Sequence, residues 1–344
     1  MTSHHPAIPR FDLASLPVPV IQAPMAGGPS TPRLAAAVSE AGGLGFLAAG
    51  YKTADATRLE IETTRSLTGR PFGVNLFVPQ APFSNPDALH AYADALAPEA
   101  ERFGVRLGDP RHDDDDWDNK VDVLLELAPA VVSFTFDLPE NTVIGALQER
   151  GSAVVATVTS RAEALQALDA GVDALCVQGP EAGGHRGTFD PAADETQPLN
   201  ALLAGLADLP VPLIAAGGIA TAADARAALA LGATAVQAGT AFLRADEAGT
   251  KAAHRAALAS GSFPATAVTR SFSGRNARGL TNEFMRLHDA EAPYGYPEIH
   301  HLTTPLRAAA AAAGDPNWLN LWAGTGFRHA VDGPAAAILA ALTP

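Results

Sequence analysis

The residues best placed to do chemistry stand in "CVQGPEAGGHRGTF", residues 176–189. An apolar run, Ala174 to Val177, stops at Gln178 and Gly179. It opens into a loop in which Gly183, Gly184 and Gly187 surround His185 and Arg186. Glycine loses more backbone entropy than any other residue, so a loop this rich in it implies unusual dihedrals or a close approach to another group. An unperturbed imidazole titrates at roughly pH 6.5 and so exchanges protons or donates to an anion near neutrality. His185 is therefore the candidate catalytic or substrate-contacting residue, while the pattern gives Arg186 no role.

The elements that must carry this loop alternate between short apolar runs and longer Ala/Leu-rich amphipathic segments. Strands are predicted at 18–24, 44–50, 71–77, 131–136, 153–158, 174–179, 213–218 and 235–242. Helical patterns such as 31–42, 160–171 and 221–232 each open on Ser or Thr and end at glycine, the expected start and stop signals. Apolar runs without alternation belong to strands covered on both faces, as in a parallel sheet. Eight of them, each followed by a helix or longer connection, predict an α/β fold of the (β/α)8 barrel type. A doubly wound sheet is the alternative, but its dinucleotide fingerprint runs strand, glycine turn, helix. The nearest match, "GGLGFLAA" at 42–49, follows a helix and enters a strand.

Two regions fall outside a plain barrel. Residues 79–128 are too long for one crossover and contain "RHDDDDWDNK" (111–120), which reads as a solvated acidic loop because no partner ligands flank it. Residues 247–315 are polar and irregular and read as a smaller, mostly helical cap over the barrel mouth. The resulting organisation is a barrel over 1–246, the cap over 247–315, and a helical segment, 316–344, packing back on the barrel.

The chain has 37 acidic against 23 basic residues, a net charge of −14, which argues against a general binder of nucleic-acid backbones. Its single cysteine, Cys176, permits no intrachain disulfide and reads as buried core. His4-His5 and His300-His301 have no third ligand at metal spacing, so no metal is expected. The N-terminus lacks a basic region followed by an apolar core, and no apolar run is long enough to span a bilayer. The expectation is a cytoplasmic protein with no membrane contact.

In such barrels the active site lies at the carboxyl ends of the strands. Those positions hold Met25, Asn75, Thr135, Thr157, Gln178, Gly217-Gly218 and Gly239-Thr240, a polar set nearly without charge. It offers neither the carboxylate pair of a glycosidase nor a Schiff-base lysine. It suits a flat, uncharged heterocycle held by amides and backbone groups. The glycines after the seventh and eighth strands, together with the following helix N-terminus, suit a phosphate.

At this point the motifs resemble those of a known family. "VIQAPMAGGPSTPRLAAAVSEAGGLGFLAAGY", "FGVNLFVPQ", "VVSFTF", "QGPEAGGHRGTF", "PLIAAGGIATAADARAALALGATAVQAGTAFL" and "TRSFSGRNARGLTNEF" are similar, in order, to motifs of nitronate monooxygenases, formerly 2-nitropropane dioxygenases. The resemblance covers about residues 17 to 329. It implies FMN, with contacts at Met25, Asn75, Gln178, Gly183, Gly217, Gly218 and the Gln237-Ala238-Gly239-Thr240 strand end, and His185 as catalytic histidine. It implies oxidation of alkyl nitronates, propionate 3-nitronate among them, by O2 to a carbonyl compound and nitrite. Tyr294 and Tyr296 are the substrate-pocket candidates from the cap. A homodimer is among the assemblies a barrel exterior permits. The "EAGGHRG" and "AAGGI" pieces are shared with flavin-dependent enoyl-ACP reductases, which makes an NAD(P)H-dependent reductase the rival reading. Departures from the family pattern fall at Ala222-Ala223 and at Arg244 to Glu247, beside the phosphate edge.

Overall fold

The computed structural model describes residues 9–193 and 196–344, so His4-His5 lie outside the described residues. Eight strands form one parallel ring: β1 (Val20–Gln22), β2 (Phe46–Ala48), β3 (Gly73–Phe77), β4 (Val131–Thr135), β5 (Ala153–Val158), β6 (Ala174–Gln178), β8 (Leu213–Ala216) and β9 (Ala235–Ala238). The strand order is β1-β9-β8-β6-β5-β4-β3-β2, and a parallel bridge between Ile21 and Leu44 joins the two ends. All eight expected strands are present, and the architecture is the (β/α)8 barrel. Between β6 and β8 lies a two-residue strand, β7 (Gly184–His185). It pairs antiparallel with β11 (Ala277–Leu280), which pairs in turn with β10 (Thr266–Thr269).

Alternation along each strand explains why the runs look uniformly apolar. Val154, Ala156, Leu175 and Val177 face outward into the cluster shared with the helices, whereas Ala153, Val155, Ala174 and Cys176 face inward. The inner cluster is plugged from below by Leu13. Higher in the barrel the inward positions turn polar. Asn75 Nδ2 donates to Ser133 Oγ at 2.9 Å and to Thr135 Oγ1 at 3.0 Å, and the Thr135 and Thr157 hydroxyls lie 3.3 Å apart. The barrel is thus apolar below and hydrogen-bonding at its mouth.

The helix signals behave as their chemistry requires. Thr31, Ser160 and Thr221 accept from the backbone N–H three residues on. Gly42, Gly171 and Gly232 take left-handed φ values of 95°, 84° and 98° just past the same helices.

A second hydrophobic cluster sits over the mouth. It draws on the 247–315 region but also on Leu89, Tyr92 and Leu96 from the 79–128 insertion and on Trp318, Leu321 and Phe327. Only the end of the 316–344 segment, Ala335 to Leu342, joins the barrel cluster. The region above the mouth includes β10 and β11 as well as helices, because the 179–188 loop needs a strand to pair with.

The acidic run is not simply solvated. Asp113 pairs with His301 Nε2 at 2.5 Å, and Asp115 pairs with buried Lys120 at 2.8 Å and accepts from Tyr51 N at 2.9 Å. Asp116 accepts from Ala54 N at 2.6 Å. The run spans a junction between the barrel loop at 51–54 and the helix Glu298–Ala312, where backbone N–H groups and a lysine need acceptors. Among the described residues no three His, Cys, Asp or Glu converge as metal ligands. None of the described helices is long and apolar enough to cross a membrane.

Gly45 marks the tightest helix–strand approach, since a Cβ there would lie 2.0 Å from the Ala35 carbonyl oxygen. Gly45→Ala is expected to cost about 3 kcal/mol or more in chemical denaturation, because the helix Pro32–Glu40 must move off β2.

Candidate active site

One cavity of about 440 Å³ occupies the barrel mouth. Met25, Asn75, Gln178, Gly183, His185, Gly217, Gly218, Gln237, Ala238, Gly239 and Thr240 all line it. These residues come from separate strand ends, and the ring brings them together.

The loop carrying His185 is fixed by its own chemistry. Gln178 reaches along it, donating from Nε2 to His185 O at 3.1 Å and accepting from Gly187 N at 2.8 Å. Glu163, buried, accepts from Thr188 Oγ1 and Phe189 N, both at 2.8 Å, at the far end of the loop. The Arg275 guanidinium, 1% exposed, donates to the carbonyls of Arg186 and Thr188 and to Gln80 Oε1, and lies 4.1 Å above the Phe136 ring. The glycines answer to neighbours as much as to a ligand. A Cβ on Gly183 would meet Gly324 N at 2.5 Å, and one on Gly187 would meet Thr157 Cγ2 at 2.7 Å.

His185 is not the near-neutral titrating group its residue type suggests. Burial first, then the Arg275 and Arg307 guanidinium groups, push its pKa down to about 3, so the ring is neutral at working pH. Its Nε2 lies 2.8 Å from Ser273 Oγ, which also reaches the Arg275 carbonyl oxygen at 3.3 Å. A hydroxyl has one proton. If Ser273 gives it to Nε2, the other ring nitrogen carries a proton to donate; if it gives it to the carbonyl, that nitrogen is a base.

The phosphate-like corner is built differently from expectation. The N–H groups of Gly217, Gly218, Gly239 and Thr240 donate to no other described residue, so they stand ready for an anion. The N-terminus of the helix Ala222–Ala230 is in part already served, while its Ala222 and Ala223 N–H groups donate to no other described residue. Asp224 accepts from Ala220 N at 3.1 Å and Thr221 N at 2.8 Å, in a capping box with Thr221. Arg244 pairs with Asp332, and Arg255 pairs with Asp332 and Asp246, a network of half-buried and exposed side chains joining 244–246 to the C-terminal segment.

Neither cap tyrosine lines the main cavity. Tyr294 packs its ring against Arg270, with Cζ 4.8 Å from the centroid. Tyr296 stands behind Tyr51, donating to its hydroxyl at 3.3 Å. Sequence reasoning missed Tyr51, His300, Arg307, Trp322, Gly324 and Gly326, which line the cavity. The "AGTG" of 323–326 carried a signal: paired glycines within a segment, 316–344, that was read as helical. Gly324 N donates to Thr240 Oγ1 at 2.9 Å.

The family model for nitronate monooxygenase matches residues 11–344. The chain belongs to the nitronate monooxygenase family. A nitronate monooxygenase from Pseudomonas aeruginosa is 43% identical over 343 residues, covering 96% of both chains. A probable nitronate monooxygenase from Staphylococcus saprophyticus is 39% identical, covering 91% of this chain and 90% of the relative. The solved nitroalkane oxidase from Streptomyces ansochromogenes superposes with a TM-score of 0.93 at 48% identity, covering 95% of each chain. FabK from Thermotoga maritima is more distant, with a TM-score of 0.70 and 29% identity over 96% of this chain and 93% of that one. The protein is thus an oxidoreductase of a flavin-dependent family that oxidises nitronates.

Two further cavity histidines share the behaviour of His185. Burial pushes His254 down to about 4, and burial with Arg307, His185 and His301 holds His300 well below 6.5. Unfolding releases all three to their ordinary values, so the unfolded chain binds more protons. Stability is complete above roughly pH 6.5 and falls as pH drops toward the folded values. Protons are expected to be taken up by these groups on unfolding at pH 5, and His185→Asn should reduce the uptake by about one. Calorimetry in buffers of different ionisation enthalpy measures this; unchanged uptake would mean that His185 is charged in the folded protein.

Proposed function

We propose that the cavity holds FMN and that neutral His185 hydrogen-bonds a nitronate beside it, for oxidation by O2 to a carbonyl compound and nitrite. The observation that carries this reading is the charge of the wall. In a chain of net charge −14, no Asp or Glu among the described residues lines the cavity, while the cations Arg307 and Lys251 do, beside three neutral histidines. A low-dielectric cleft of one sign focuses its field and concentrates the opposite charge. Nitronates and phosphate esters are both anions.

The residues fit the cofactor. The free N–H groups of Gly217, Gly218, Gly239 and Thr240 would receive the FMN phosphate, and the amides of Asn75, Gln178 and Gln237, with Met25, would meet its ring system. Bound FMN supplies the electron acceptor and the O2 chemistry. The protein's part is to orient, dehydrate and hydrogen-bond. His185, neutral, donates to a nitronate without acidity enough to protonate it, and a pKa lowered to about 3 makes it a poor base toward a neutral nitroalkane, so the site suits the nitronate anion.

Arg307 narrows the substrate. Its side chain hydrogen-bonds Thr303 Oγ1 at 3.1 Å, His300 O at 2.9 Å and Thr304 Oγ1 at 2.8 Å, with no carboxylate among its partners. A half-buried cation with no carboxylate partner among the described residues favours a ligand that brings one. Propionate 3-nitronate, with a carboxylate at its far end, fits this better than a simple alkyl nitronate.

His185→Asn should keep its FMN while turnover of ethylnitronate falls by about 100-fold or more. Anaerobic ethylnitronate should bleach the flavin of the native protein; rapid bleaching by NADPH alone would instead favour the reductase reading. Arg307→Gln should lower kcat/KM for propionate 3-nitronate about 10- to 100-fold and leave ethylnitronate within about threefold. Equal losses on both substrates would remove Arg307 from carboxylate recognition.

A further inference from the structure

Tyr51 is a bulky aromatic residue in the left-handed region, with φ 66°. Such a conformation persists only where its surroundings over-determine it, and such residues gather at functional sites. Here the surroundings are specific. The Tyr51 N–H donates to Asp115 Oδ1 at 2.9 Å, and Asp115 is itself held by Lys120, 1% exposed, at 2.8 Å. The ring lies flat on His300, with centroids 4.2 Å apart and an interplanar angle of 1°, and meets Phe77 edge-on at 5.6 Å. The backbone is thereby held by Asp115, and the ring by stacking on His300 and the edge contact with Phe77, which together restrict where the hydroxyl can lie.

That hydroxyl has a proton to give. A phenol carries one O–H. Tyr296 gives its own to the Tyr51 oxygen at 3.3 Å, and Tyr51 donates to no described residue. Tyr51 lines both the main cavity and a water-sized pocket of about 20 Å³ behind it, whereas Tyr296 lines only the small pocket. His185 shares this wall: its ring is 5.7 Å from Tyr296 and 5.8 Å from Phe136. We propose that Tyr51 is a substrate-contacting residue whose O–H donates a second hydrogen bond to the nitronate, and that Tyr296 is a positioning residue behind it. Burial raises the Tyr51 phenol to about 12, so it keeps this proton across the working pH range. Accepting from Tyr296 polarises the Tyr51 O–H and strengthens its donation, as in other hydrogen-bond chains. The proposal rests on the nitronate reading of the cavity.

The test uses the flavin-loaded enzyme and the variants Tyr51→Phe, Tyr296→Phe and the pair together. Phenylalanine keeps the stacking on His300 and the backbone cost unchanged, so flavin content and melting temperature should match the native protein. For ethylnitronate, kcat/KM should fall about 10- to 100-fold in Tyr51→Phe and about threefold in Tyr296→Phe. The double variant should be no worse than Tyr51→Phe, because Tyr296 acts through Tyr51. Nitrate, a planar anion without turnover, gives an independent reading: its Kd from flavin absorbance should rise about tenfold in Tyr51→Phe. Turnover and nitrate affinity both within twofold of native would overturn the contact. Additive losses in the double variant would overturn the positioning role of Tyr296. A native enzyme inert to ethylnitronate whose nitrate affinity still depends on Tyr51 would sink the nitronate reading while leaving Tyr51 as an anion contact.

Discussion

The side chain of Arg275 is the tie on which the region around His185 depends. It is the largest fully buried side chain among the described residues, and its partners are two backbone carbonyls, one amide oxygen and the face of Phe136. A buried charge satisfied only by neutral groups costs more than a paired one, so the surrounding structure must be rigid enough to keep it. What it gains is a positive potential that carries no readily released proton. Its own pKa, lowered by burial to about 10, still leaves it charged. Burial first, and then this charge, keep the neighbouring imidazole neutral, so that an anion would meet a cationic environment without meeting an acid.

The same division of labour runs through the site. Charge comes from Arg275 and Arg307, which hold their protons, while His185 and Tyr51 stand neutral as the proposed hydrogen-bonding groups. Carboxylates are present nearby but directed elsewhere: Glu163 holds the active loop from outside, and Glu181 accepts from Leu199 N at the start of a helix. Asp115 serves the backbone of Tyr51. These carboxylates cap and brace, and among the described residues no Asp or Glu lines the cavity.

The barrel was legible because its signals are local. Each strand is a short apolar run, and each helix opens on a side-chain cap and closes on a left-handed glycine. The strand-end residues followed from topology, since a parallel ring has one mouth. Tyr51 and Arg307 were not legible. Tyr51 earns its place through a backbone conformation set by Asp115, more than sixty residues away in sequence, about which neither residue type gives a hint. Arg307 sits on the helix Glu298–Ala312, whose packing over the mouth is a tertiary fact. The acidic run misled for the related reason that its partners, Lys120, His301 and two backbone amides, are of kinds too common to be read as partners. His185 lines the cavity at the barrel mouth, where its loop led the sequence to expect it, but its charge state depends on burial and on two arginines far off in sequence.

Gly183 touches the backbone at Ala323 and Gly324, and Gly324 bonds Thr240, while β1, next to Met25, is zipped to β9. The wall of the cavity is therefore made from both ends of the sequence and its middle. During synthesis the strand before Met25 leaves the ribosome early and waits for β9, and the loop bearing His185 waits longer still for the segment at 323–326. No growing intermediate presents a finished pocket, so cofactor uptake becomes a late event that reports on completion of the whole ring.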